Sequence, residues 1–266
     1  MTDASIDRAN RFRTEAASRG LPGQEVEEWI RAVRPAVYLA EGGDGPLVAR
    51  VGGHPMLPPG APGPSEPFVA SVDLAALPPR VTGLPLPADG HLLFFAGTEV
   101  HGVGEEASDA VLYLPAGTPA TPSPLDHGHR EPYRPRELRT IWHQPSAQMP
   151  ESFALDTWGD FPEDEQFELA EELADAWADG GGYRPPWDLQ IGGHPVSPQN
   201  DPVHNARDLA QTSPSGHGAD DWTLLATWRY GDDVTELDSG VAHWVIRRQD
   251  LAAQRFDRIN RYVEMA

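Results

Sequence analysis

A four-residue phrase occurs twice, as Gly52-Gly53-His54-Pro55 and as Gly192-Gly193-His194-Pro195. Each copy precedes an apolar, strand-like run and then a second, glycine-led run. After the first copy these are FVASVDLAAL (68–77) and GHLLFF (90–95); after the second they are WTLLATW (222–228) and GVAHWVI (240–246). The same order at two places marks an internal duplication, so the chain reads as two related β-rich halves, with any site expected where they meet. Paired glycines allow backbone angles closed to other residues and the proline fixes the exit, so each phrase is first a shaped turn. The recurrence of its histidine makes His54 and His194 candidates for lining a cleft between the halves.

The pattern around these turns is α+β, with mainly antiparallel sheet. Helical spacing over 5–18 puts Ile6, Ala9, Phe12 and Ala16 on one stripe, and over 24–33 it groups Val26, Trp29, Ile30 and Val33 before Pro35 stops the helix. This predicts an N-terminal helical pair over 1–35, a first β-rich half over 36–135 and a second over 136–266, all in one compact unit. In the first half, strands are expected at 36–40, 46–51, 68–77 and 90–95, with an edge strand at 111–114. The Pro-rich stretches 55–67 and 115–135 read as loops. In the second half, a strand near Arg139 and Trp142 precedes a helix over 162–179, a polar loop over 207–220, a short helix over 249–256 and a closing strand over 258–265. The 162–179 helix buries Phe167, Leu169, Ala170, Leu173, Ala174 and Trp177. Its other face is acidic: Glu163, Asp164, Glu165, Glu168, Glu171, Glu172, Asp175 and Asp179.

Charge narrows the partners. The formal net charge is −21, and the 20 basic residues are all arginine. Such a chain repels phosphate backbones and anionic lipid, so nucleic-acid and membrane partners are disfavoured and a basic protein is the electrostatic complement. Glu168 and Glu172 are therefore candidate docking residues, although the same composition also serves solubility. The absence of cysteine excludes disulfides, thiolate catalysis and Cys-ligated metal, and fits a reducing compartment. The opening MTDASIDRANRF lacks an apolar core and no apolar run approaches the roughly 20 residues of a membrane span, which sets the expectation of a soluble, cytoplasmic protein.

Catalytic constellations are sparse. Asp126-His127-Gly128-His129 gathers two imidazoles and a carboxylate, but in a Pro-rich stretch without a partner motif such as HExxH. There is no G-x-S-x-G, and Ser215 near His217 lies in expected loop. Gly42-Gly43-Asp44-Gly45 has neither the spacing nor the lysine of a phosphate-binding loop. Asp220-Asp221 and Asp232-Asp233 carry no specificity for acid–base work at this composition. No catalytic residue, metal or cofactor is assigned.

The succession GGHPMLPPG, PFVASVDLAALPP, LPLPADGHLLFF, IGGHPVSPQND and DSGVAHWVIRRQDLAAQRFDRI resembles the YwqG family, also called the DUF1963 domain, from about Ala36 onward. The family's G-G-x-P turn matches Gly52, Gly53 and Pro55, its Gly-led aromatic strand matches 90–95, and its closing strand and helix match Asp238, Gly240, Asp250 and Leu251. Gln199 and Asp201 fit its Q-x-D pattern. The chain departs from it at Ser71 and Thr227, where glutamine is usual, and at Leu189, where histidine is frequent. Histidine within the turn is no family hallmark. The resemblance implies a duplicated α+β architecture without a settled reaction, and neighbourhoods of toxin or secretion loci. Two functions are therefore carried forward. The first is a non-enzymatic module, an immunity or accessory factor for a basic partner. The second is a hydrolase or small-ligand-binding protein, with Gln199, Asp201, Asp238 and Arg247 lining a cleft between the halves.

Overall fold

The computed structural model describes residues 3–78, 80–99, 107–125, 132–181, 186–212, 221–232, 234 and 240–265. Asp238 and the Asp126-to-His129 cluster lie outside the described residues. The chain begins with two helices, α1 (Asp3–Ser18) and α2 (Gly23–Ala32). Strands β1 (Arg34–Glu41), β2 (Leu47–Val51), β3 (Met56–Leu57), β4 (Phe68–Asp73), β5 (His91–Phe95), β6 (Val111–Leu114), β7 (Thr121–Pro122) and β8 (Arg136–Ser146) follow. Then come α3 (Pro150–Trp158), α4 (Asp164–Asp179), β9 (Leu189–Gly192), α5 (Pro202–Thr212), β10 (Trp222–Arg229), β11 (Val241–Arg247), α6 (Arg248–Ala252) and β12 (Asn260–Glu264).

Ten strands make one sheet in the order β12-β11-β10-β9-β1-β8-β2-β4-β5-β6, and every neighbouring pair is antiparallel. The α+β class with antiparallel sheet therefore holds. Strands β1 and β8 form the middle, in register from Arg34 opposite Ser146 to Glu41 opposite Leu138. On the β8 side the order outward is β2, β4, β5, β6, and on the β1 side it is β9, β10, β11, β12. Each wing opens on the strand that leads into a Gly-Gly-His-Pro turn.

The sheet curls so that the wings face each other across one apolar core. Phe94 of β5 meets Trp244 of β11 edge to face with centroids 5.0 Å apart, and Trp244 Nε1 donates to the Phe95 carbonyl at 3.3 Å. Tyr133 packs on Trp228 at 4.8 Å, and the Tyr230 hydroxyl donates to the Gly97 carbonyl. Each such aromatic burial contributes about 1.5–3 kcal/mol, with about 0.5–1.5 kcal/mol more from the ring pairing. At the rim, Arg261 pairs with Glu66 at 3.1 Å, and the Ala107 amide donates to the Ile259 carbonyl at 2.8 Å. The space between the wings is filled by these side chains.

Helices cover the outside of one wing and of the middle. A second core joins α1 through α4, where Phe12, Trp29, Phe153, Leu173 and Trp177 interlock. α4 begins at Asp164, two residues later than the spacing predicts, because Glu163 forms a capping box with Gln166. Two helices escaped the sequence reading. α3 is short, with Pro150 in its first turn. α5 takes residues 207–212, expected as loop, into a helix. Its polar composition hides a stripe of Val203, Ala206 and Ala210, which packs on Trp222, Leu224, Val245 and Tyr262, while Asp201 Oδ1 accepts from the Val203 and His204 amides.

The turn glycines give a first test. Gly193 has φ +80° and an added Cβ would lie 2.7 Å from both the Ala36 and Ser146 Cβ atoms, whereas Gly53 has φ +71° and its nearest neighbour would be Pro135 Cγ at 3.5 Å. Gly53→Ala should cost about 1–2 kcal/mol from the left-handed backbone alone. Gly193→Ala adds overpacking of about 1–3 kcal/mol. Urea unfolding midpoints of the two variants should be clearly separated in that order.

Candidate functional site

The two repeated turns share a backbone and differ in what surrounds them. All four glycines have φ between +70° and +80°. At the first turn, Gly52 and Gly53 amides bond to the carbonyls of Val69 and Tyr133 at 2.8 and 2.9 Å, and His54 points into solvent. At the second, His194 is 5 % exposed. The residue two places before the glycines also diverges. Arg50 is exposed and pairs loosely with Glu137, whereas the fully buried Gln190 donates from Nε2 to the carbonyls of both Gly192 and His194 at 2.7 Å. Ser146 Oγ adds a third clamp, donating to the His194 carbonyl at 3.1 Å.

The His194 ring reaches the other way, toward the end of α2. Its Nε2 lies 2.7 Å from the Ala32 carbonyl oxygen, which only accepts, so Nε2 carries the proton in a neutral ring. Burial first, and then the positive Arg34 and Arg207, push its pKa down to about 3. A base that weak is unsuited to proton transfer near neutrality, and the ring instead ties the turn to the helical layer.

A groove of about 540 Å³ opens beside this ring, between α2, α3 and the start of β1. Arg34, Gln148, Asp156 and His194 give it polar walls, and Phe153 and Trp158 an apolar one. Asp156 is held from two sides, by Gln148 Nε2 at 2.6 Å and by Arg207 Nη1 at 3.2 Å. Arg34 also borders a smaller hollow of about 220 Å³ with Gly193, Trp222 and Arg248. Burial, followed by Arg207, lowers the Arg34 pKa, while Asp201 and Asp156 oppose the shift. The group stays cationic, and the direction reports how incompletely its charge is balanced.

The other sequence candidates are dispersed. Gln199 is exposed, and its Nε2 donates to the Met265 carbonyl at 2.9 Å, holding the segment after β12. Asp201 caps α5. The Arg247 guanidinium stacks over Trp222 at 5.3 Å, worth about 0.5–2 kcal/mol. Glu168 and Glu172 stand exposed on α4. Arg34, Gln148, Asp156, Gln190 and Arg207 were missed. The one available signal was Gln190, a polar residue between Leu189 and Ile191 just before the second turn.

A second groove, of about 700 Å³, lies at the opposite end of the central strands. There Arg136 pairs with Asp188 at 2.9 Å, and Arg229 stacks over Trp187 at 5.0 Å. Among the described residues no group of three or more His, Asp or Glu is placed to hold a metal ion, and no helix is long and apolar enough to cross a membrane.

A family profile described as Domain of unknown function (DUF1963) matches residues 49–263. No curated protein matches the sequence.

Two buried histidines contribute to the response to acid. His243 is fully buried, with Nδ1 2.8 Å from Thr227 Oγ1, and burial pushes its pKa to about 3, as for His194. The unfolded chain takes up these protons as pH falls below about 6.5, and the folded chain refuses them until about 3. Their stabilisation is therefore complete above pH 6.5 and is lost progressively toward pH 3, at up to about 1.4 kcal/mol per pH unit for each ring. Urea unfolding from pH 7 to 4 should show His243→Gln losing stability less steeply than the parent, by about one proton's worth. An unchanged slope would mean that the ring already titrates in the fold.

Proposed function

Because the chain belongs to the DUF1963 family, a domain of unknown function, its activity has to be read from its own surfaces, and we propose a non-enzymatic binding module for a basic protein. One observation carries this reading. On α4, Asp164, Glu165, Glu168, Glu171, Glu172 and Asp175 are all exposed, and among the described residues none has an arginine at ion-pair distance. Among the described residues Asp179, at the helix end, is paired, with Arg19. Elsewhere, among the described residues, several arginines engage carboxylates: Arg13 with Glu27, Arg31 with Glu28, Arg134 with Glu41, Arg255 with Asp257. The neutralising charge is spent away from this face.

The arrangement works against the helix itself. Glu168 has like charges three or four residues away at Asp164, Glu165, Glu171 and Glu172, and each such pair costs about 0.2–0.5 kcal/mol. Acids in the last turn, with no base there, also oppose the helix dipole. A surface that opposes its own folding becomes favourable once a cationic face covers it, and its field speeds that encounter. In this reading the protein is a YwqG-like immunity or accessory factor. The repeated order of the two wings supports its descent from a duplicated unit. The alternative is a hydrolase or small-ligand-binding protein with a cleft between the halves, and the aromatic side chains packed between the wings weigh against it.

A variant carrying Glu168→Gln, Glu171→Gln, Glu172→Gln and Asp175→Asn separates function from fold. Its Tm should rise by a few degrees, as about 1 kcal/mol of repulsion is removed. Affinity capture from native extract at low and high salt, read by mass spectrometry, should return a basic protein with the parent at low salt only and lose it with the variant. Capture that is insensitive both to salt and to the four substitutions would refute the proposal.

A further inference from the structure

The groove beside His194 contains a cation that the fold does not use. The Arg34 guanidinium presents five N–H donors. Among the described residues none of them meets a hydrogen-bond acceptor, and no carboxylate lies at ion-pair distance. The side chain is half-buried at the start of β1, where it borders both the larger groove and the smaller hollow. The two nearby carboxylates have other work. Asp201 Oδ1 accepts from the Val203 and His204 amides, and Asp156 is shared between Gln148 and Arg207. The positive charges of Arg207 and Arg248 repel Arg34 rather than relieve it.

In a chain of net charge −21, a partly desolvated arginine without an anion is costly, and pairing it would be correspondingly favourable. The rest of the groove indicates what would pair with it. Its volume of about 540 Å³ falls in the range of small-molecule sites. Phe153 and Trp158 meet edge to face at 5.7 Å and give one apolar wall. Glu25, Glu28 and Asp156 also line the groove, and its second cation, Arg31, is paired with Glu28, so the surroundings are unfavourable for a doubly charged anion. We propose that this groove binds a small organic carboxylate with an apolar body, the carboxylate forming a bidentate pair with Arg34 and the body lying against Phe153 and Trp158. The site is independent of the α4 surface and does not require that reading to hold.

The test uses the full chain and three probes: phenylacetate, its uncharged analogue phenylacetamide, and inorganic phosphate, each followed by thermal shift and by titration calorimetry. Phenylacetate should raise Tm in a saturable way and phenylacetamide should not. Phosphate should bind at least tenfold more weakly than phenylacetate. Arg34→Met should abolish the phenylacetate response while keeping or raising the Tm of the unliganded protein, because an unpaired cation is removed. If that variant does not fold, Arg34→Lys keeps the charge, loses the fork and should weaken phenylacetate at least tenfold. No saturable response to phenylacetate, equal binding of the amide, tighter binding of phosphate, or retention of phenylacetate by the Arg34 variants would each overturn the assignment.

Discussion

The pairing of β1 with β8 is the contact on which everything else hangs. It joins residues 34–41 to residues 136–146, so the chain must bring together segments about a hundred positions apart before either wing has a place to attach. One side of this pair receives β9 and the other β2, and each wing then builds outward by antiparallel addition. The same pair sets the groove: Arg34 is its first residue, Ser146 its partner in register, and the His194 turn follows the strand added next to β1. A single hydrogen-bonded ladder thus positions the core-facing aromatics at one level and the groove's cation at another.

Two turns of identical sequence and nearly identical backbone have different fates here, and the cause is what each wing is covered with. The second turn lies under α2, α3 and α5, so its histidine loses water and is held neutral, and a glutamine replaces the exposed Arg50 as the brace beneath it. At the first, His54 is exposed and keeps its solvent. Burial, rather than the local phrase, decides what an imidazole can do.

Much of the scaffold was legible for physical reasons. α1, α2 and α4 announce themselves because their apolar residues recur at helical spacing and go into one shared core, and the long strands because continuous apolar runs fit a sheet buried on both faces. α5 was not, since three apolar residues suffice once a sheet supplies the rest of the contact. The groove was less legible still. Arg34, Asp156 and His194 come from a strand, a helix and a turn spread over 160 positions, and none is unusual in its own neighbourhood. An arginine reads as a surface residue until the fold shows that its carboxylate neighbours are taken. The repeated histidine drew attention to the right turn for a reason that holds at only one of its two copies.

The curl that brings Phe94 onto Trp244, and Ala107 to Ile259, has a kinetic side. Contacts across it span about 150 residues, and loop closure over such distances is slow compared with local helix formation. Until β10, β11 and β12 have joined, the inner face of the β2-to-β6 wing stands open, with Val69, Leu92 and Phe94 in water and unpaired strand edges beside them. A ribosome would have released the first wing well before its cover exists. That interval is when the chain is most exposed to aggregation and most suited to a chaperone's grip, and the aromatic clasp between the wings is what ends it.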